Sequence, residues 1–250
     1  MTTRIVVVEH IATGHAGLFA RFAAARGWVL DVRRMHAGDA LPDSMADHAG
    51  LCVLGGPMSA NDDVPYLRAT EALMRDAMAR GAPVIGHCLG GQLLARAAGA
   101  SVARAPGPEI GWTPVQVNAA GRDWFGMSVA DAAGNAVSTH DEATVFEWHH
   151  DSFAVPDGAT LLASSAACPA QAMVIDDRHL AMQFHAEITP AIIDVWLAEP
   201  ACQRDIARNA HCAQVQDATT MQQATRAQQA AAEAVAMALY ARWARPIGQG

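Results

Sequence analysis

Cys88 stands where a short apolar run, Pro83-Val84-Ile85, meets Gly86-His87-Cys88-Leu89-Gly90 and the helix-like run that follows. Strand, Gly-x-Cys-x-Gly, helix is the cysteine form of a nucleophile elbow. A sharp strand-to-helix turn leaves little room for side chains at Gly86 and Gly90, and it lifts the sulfur over the start of the next helix. A helix N-terminus carries partial positive charge and free N–H groups, surroundings that favour a thiolate. The Leu89 N–H would point to where an oxyanion forms during attack on a carbonyl. By itself the pentapeptide fits a buried thiol at an ordinary strand–helix junction equally well. Partners elsewhere in the chain decide between the two.

Such partners are present. Met182-Gln183-Phe184-His185-Ala186-Glu187 continues a strand-like run, and residues two apart on a strand share a face. This spacing puts His185 and Glu187 together, as a base and the carboxylate that orients it. Gly55-Gly56-Pro57 ends another strand-like run, and in a doubly wound sheet the carboxyl ends of neighbouring strands share one crevice. The Gly56 N–H is the expected second oxyanion donor. His149 and His150 are consecutive and so face opposite sides of a strand; no shared metal site is expected.

The elements that must position these residues alternate. Ile5–Val8, Trp28–Val32, Leu51–Leu54 and Pro83–Ile85 read as strands, separated by helices over Leu18–Ala25 and Pro65–Arg80, with another over Gly90–Ala98 after the corner. Short apolar strands alternating with helices imply a parallel sheet covered on both faces. Residues 101–185 are richer in short strands: Val115–Val117, Thr144–Glu147, Leu161–Ala163, Ala172–Ile175 and Leu180–Phe184. Thr189 and Pro190 suit the cap and first turn of a helix reaching Ala198. From Ala213 to Ala238 the chain is rich in Ala and Gln, and Val235, Leu239 and Trp243 at spacing four predict a helix packed by one stripe. Packing on its own domain is the favoured role of that stripe; a dimer contact is the alternative.

Composition narrows the function further. The net charge is −8, from 17 basic and 25 acidic residues, with no basic cluster. Nucleic acid is therefore not the expected partner. All 17 basic residues are arginine, which removes the P-loop lysine and the lysine Schiff base together. The five cysteines are widely spaced and odd in number, a poor basis for a disulfide framework or a zinc site. No long apolar run suggests a membrane span, and Arg4–Val8 reads as a strand rather than a secretory signal, so a cytoplasmic location is expected.

As a set, these motifs resemble the class I glutamine amidotransferases. The resemblance spans roughly Arg4 to Trp196 and is carried by Gly55-Gly56-Pro57-Met58-Ser59, Gly86-His87-Cys88-Leu89-Gly90-Gly91-Gln92, Glu109-Ile110-Gly111-Trp112, Trp148-His149-His150-Asp151-Ser152-Phe153 and Gln183-Phe184-His185-Ala186-Glu187. It is nearest to stand-alone relatives of the GMP synthase amidotransferase domain, a group that includes γ-glutamyl peptide and amide hydrolases. The resemblance implies an α/β, flavodoxin-like, mostly parallel sheet flanked by helices, with a strand-rich second half and a C-terminal helical extension. A catalytic domain over residues 1–200 and an extension over 201–250 are expected. The resemblance further implies Cys88 as nucleophile, His185 as base and acid, and Glu187 as its orienter. Gly56 and Leu89 would form the oxyanion hole, and Gly55, Gln92, Trp148, His149, His150 and Asp151 would line the γ-glutamyl site. His87, Gly91 and Ala186 stand where the family usually has an aliphatic residue, a histidine and a proline, departures that bear on the pocket.

The expected reaction is cysteine-dependent hydrolysis of a γ-glutamyl amide through a thioester on Cys88, without cofactor or metal. The roughly 50 residues after position 200 are too few for an ATP-using synthetase domain. Two alternatives stay open: a glutaminase component delivering ammonia to a separate synthetase subunit, and an idle regulatory binding module. The sequence leaves a homo-oligomer open.

Overall fold

The structure is a computed structural model that describes residues 2–130, 136–138 and 140–248. Its strands are β1 Arg4–Glu9, β2 Val29–Arg34, β3 Gly50–Val53, β4 Val84–His87, β5 Val102–Val117, β6 Ser128–Ala130, β7 Ala136–Ser138, β8 Glu142–Phe153, β9 Thr160–Ser164, β10 Ala172–Ile175 and β11 His179–Met182. The helices are α1 Gly17–Ala25, α2 Pro65–Ala79, α3 Leu89–Ala97, α4 Pro190–Ala198, α5 Pro200–Asn209 and α6 Ala218–Trp243.

Nine strands form one sheet in the order β2-β1-β3-β4-β11-β10-β9-β5-β8, with β6 and β7 a separate antiparallel pair. The first five run parallel, as continuous apolar strands covered on both faces should. From β11 outward the pairings are antiparallel. The strand-rich second half therefore extends the same sheet. Alternation along β1 divides the core: Ile5 and Val7 join α1 and α6 on one face, and Val6 and Val8 join α2 and α3 on the other.

β5 and β8 are much longer than their apolar segments alone suggest. Pro106-Gly107-Pro108 reads as a break, and here it lies inside β5 at a register shift between Arg104 and Glu109, where a missing N–H and an irregular backbone are tolerated. α5 has no counterpart in the sequence reading. None of its residues is fully buried, and the pair Cys202 and Ile206 that rests against the core is too short an apolar stripe for the helix to be recognised by it.

The alanine-rich helix α6 does pack on its own domain. Leu239, Tyr240 and Trp243 are fully buried, and Phe19 of α1 meets Tyr240 and Trp243 edge-on at 5.2 and 5.6 Å between centroids. Among the described residues no helix is long and apolar enough to cross a membrane.

Candidate active site

β3, β4 and β11 are adjacent and parallel, with Val53 opposite Gly86 and Met182 opposite His87. Their carboxyl ends therefore share one edge of the sheet. Gly55 and Gly56 follow β3, Cys88 follows β4, and His185 follows β11, so residues about 30 and 100 positions apart meet there by topology.

Cys88 occupies the corner with φ 48° and ψ −111°. A positive φ on a non-glycine residue is strained and is sustained only where its surroundings fix it. Cys88 N–H donates to the Met182 carbonyl (2.9 Å), and its own carbonyl accepts from Gln92 N–H (2.9 Å). The turn also demands close backbone approach. A Cβ on Gly90 would lie 2.1 Å from the Val53 carbonyl oxygen, and one on Gly91 2.4 Å from that of Met182. Glycine at position 91 thus lets α3 sit directly against β11. Leu89 opens α3, so its N–H has no intrahelical acceptor.

His185 and Glu187 lie together, though not by the strand pleat. β11 ends at Met182, and both residues sit in the turn beyond it. The chain has crossed towards β8 there, with His185 N–H donating to the Phe146 carbonyl (2.9 Å). His185 Nδ1–H donates to Glu187 Oε1 at 2.7 Å, which leaves Nε2 for the Cys88 sulfur. Trp196 packs edge-on against the imidazole, 4.9 Å between centroids. Burial works against a charge on His185, but Glu187 and the hydrogen-bonded Cys88 sulfur outweigh it and hold its pKa well above the usual histidine range. Burial likewise opposes the Glu187 charge, and the charge and hydrogen bond of His185 outweigh it, so its pKa falls below the usual carboxylate value. Gly55 leaves the space in which this ring sits: a Cβ there would be 2.7 Å from His185 Cε1 and 3.5 Å from Cys88 Cβ.

His87, the other departure beside the cysteine, is fully buried with Nε2 3.1 Å from the Tyr240 hydroxyl of α6 and 3.9 Å from Glu187 Oε2. Burial depresses its pKa. A neutral imidazole thus stands behind the carboxylate and links it to the C-terminal helix.

The remaining predicted residues divide. Gln92 is buried and donates to the Asp151 carbonyl (3.0 Å) and to Gln183 Oε1 (3.3 Å), tying α3 to β8. His149 and His150 face apart. His149 Nδ1–H donates to the Asp151 carbonyl and its Nε2 meets Glu109 Oε2, each at 3.0 Å. His150 instead accepts from Arg104 (3.1 Å) and donates to Asp205 (2.9 Å). Trp148 Nε1–H also donates to Asp205 (2.9 Å). The Asp151 carboxylate accepts from Ser59 Oγ at 2.6 Å. Cys88, His185, Gly55, Gly56, Trp148 and Asp151 all line one cavity of about 490 Å³.

Several participants had no separate place in the sequence reading. Gln183 directs its amide at Cys88 Sγ from 3.7 Å. Its signal was a lone amide in an apolar run. Behind His149 lies a polar wall of Glu109, Glu147, Ser165 and Gln171. Glu109 accepts from Gln171 (2.8 Å) and Ser165 (2.7 Å). Burial first, and Glu109 next, push the Glu147 carboxyl well above its usual range. Glu109, His149 and Cys168 bring possible metal-ligand atoms within 4.8 Å of one another. Their hydrogen bonds already pair them: Cys168 Sγ–H donates to the Ala170 carbonyl (3.4 Å), and Glu109 is engaged as above. The arrangement is a hydrogen-bonded wall.

The family model for class-I glutamine amidotransferase matches residues 19–195. A glutamine amidotransferase-like protein of Salmonella typhimurium, YfeJ, is 32% identical over 198 residues, covering 76% of this chain and 78% of that protein. A subunit of the glutamine-hydrolysing GMP synthase of Thermoplasma acidophilum is 34% identical over 141 residues, 56% of this chain and 63% of that protein. The crystal structure of a glutamine amidotransferase from Methylobacillus flagellatus superposes with a TM-score of 0.86 at 33% identity, covering 100% of this chain and 97% of that one. The chain belongs to the class-I glutamine amidotransferase family.

Proposed function

We propose that this chain hydrolyses a γ-glutamyl amide, either glutamine or an N-substituted γ-glutamyl amide or peptide, through a thioester on Cys88. The observation that carries the reading is the junction of a strained, backbone-fixed Cys88 with the 2.7 Å His185–Glu187 pair at one sheet edge. The Cys88 thiolate attacks the γ-carbonyl. The tetrahedral oxyanion accepts from the N–H groups of Leu89 and Gly56. As the C–N bond breaks, His185 Nε2–H gives its proton to the departing ammonia or amine, with Glu187 holding the ring. Water then attacks the thioester, His185 takes its proton, and glutamate leaves as the thiolate is restored. Asp151, anchored by Ser59, offers its carboxylate to the substrate ammonium. Residues 1–200 supply these groups, and the extension from 201 closes the cavity from one side.

A second reading draws on the relative named as a glutamine-hydrolysing GMP synthase subunit: the same chemistry would feed ammonia to a separate synthetase. One experiment tests both. The purified chain is supplied with glutamine, γ-glutamyl dipeptides and γ-glutamyl alkylamides, with Cys88→Ala as control. Amine release by the wild type and its loss in the variant are expected. Equal turnover by Cys88→Ala overturns the mechanism. Glutamine turnover that appears only after a synthetase is added favours the second reading.

A further inference from the structure

The hydrolase reading leaves the departing amine open, and the helix at the cavity mouth narrows it. Ala201, Arg204, Asp205 and Arg208 of α5 all line the same cavity as Cys88. Their spacing of three, four and seven residues is one face of a helix, so α5 turns a single stripe towards the site. That stripe is held in place. Asp205 accepts from Trp148 and His150 of β8, both at 2.9 Å, and Asn209 caps the arrangement with a 3.0 Å bond to Asp205 Oδ1.

The two arginines beside it are differently placed. Arg204 and Arg208 are exposed, and neither has a hydrogen bond or ion pair with any other described residue. The third arginine of the cavity, Arg104, is already engaged by His150 at 3.1 Å and Asp151 at 3.7 Å. α5 is seated on the core by Cys202 and Ile206, and the exposed Arg204 and Arg208 take no part in that packing. Two like charges one turn apart disfavour the helix that carries them, and a bound anion removes that repulsion. The cavity volume of about 490 Å³ also suits ligands of drug-like size, about 300–1,000 Å³, a class larger than free glutamine.

We infer that the leaving amine carries a carboxylate and that Arg204 and Arg208 bind it, so that the substrate is a γ-glutamyl amino acid or peptide. The inference rests on the hydrolase reading above. Guanidinium groups suit this task, since each offers a planar pair of donors to a carboxylate.

The test compares γ-glutamyl-alanine with γ-glutamyl-ethylamide, which differ by the carboxylate alone. It uses the full chain and the double variant Arg204→Gln, Arg208→Gln. Glutamine at exposed helix positions preserves helix propensity. The wild type should favour γ-glutamyl-alanine in kcat/KM by about tenfold or more, and the variant should lose most of that ratio. Wild-type kcat/KM values within twofold of each other overturn the inference. So does a variant that lowers both substrates equally, which would place the glutamyl carboxylate on these arginines. Failure to hydrolyse either substrate would instead contradict the hydrolase reading on which this rests.

Discussion

Around Cys88 and His185, short-range electrostatics sets the chemistry. Glu187 holds the His185 imidazolium through a 2.7 Å bond and raises its pKa well above the ordinary value. In Glu187→Gln that support is lost and the pKa of His185 falls. The protonated ring needed to discharge the amine then disappears at lower pH. The alkaline limb of kcat/KM for a γ-glutamyl amide should shift to lower pH by about one unit or more. An unmoved limb with reduced rate would mean that Glu187 orients the ring without tuning it. Cys88, His185 and Glu187 stood out as candidates because each sits in a short, unusual local pattern. Their geometry was less legible: the strand pleat suggested by His185-x-Glu187 is a turn past β11, since the chain leaves the sheet to bond Phe146. The buried Glu109–His149 pair was hidden for another reason. These residues face each other across β5 and β8, in register but 40 positions apart.

At the scale of elements, the elbow depends on how closely α3 approaches β3. Gly90→Ala would put a methyl group 2.1 Å from the Val53 carbonyl oxygen. Backbone must move, and overpacking of this kind costs about 1–3 kcal/mol. The expected outcome is a lower denaturant midpoint together with a loss of activity larger than the stability change explains, because the displaced turn carries Cys88. On the opposite face, Trp243 of α6 is fully buried among Phe19, Trp28 and the backbone of Gly50. Trp243→Ala should destabilise the chain by about 3–5 kcal/mol, measured by urea unfolding. That helix was readable from its four-residue spacing of Val235, Leu239 and Trp243. α5 was not, because Cys202 and Ile206 alone rest against the core from it and one apolar pair is too short a period to read, and its polar stripe acquires meaning only beside the cavity.

Across the whole molecule, the sheet gathers the site and the buried histidines set its acid stability. His10 and His179 are almost fully buried, and burial lowers each pKa from 6.5 to about 4. Their folded pKa values lie below the unfolded ones, so the unfolded chain takes up protons first. Their contribution is complete above pH 6.5 and declines as pH falls towards 4, by roughly 3 kcal/mol for each histidine. The raised pKa of His185 acts above 6.5 and does not offset this slope. Stability from chemical denaturation should therefore carry a component from these histidines that falls between pH 6.5 and 4, opposed by the raised pKa of Glu147, which favours the folded chain as pH falls. His179→Gln, which keeps an acceptor near the Val84 N–H, should flatten the slope. A slope unchanged in that variant would contradict the assignment. The parallel half of this sheet was legible as apolar strands alternating with helices. The insertion of β11 beside β4 was not, since only long-range pairing reveals it, and that pairing is what brings His185 to Cys88.

The central claim is a γ-glutamyl thioester on Cys88, and the most direct measurement is the intact mass of the protein quenched in acid during turnover of a γ-glutamyl amide. A fraction of wild-type chains should be heavier by one γ-glutamyl group, mapped to the peptide containing Cys88 and absent from Cys88→Ala. Steady hydrolysis by Cys88→Ala, with the adduct absent from the wild type, would contradict it.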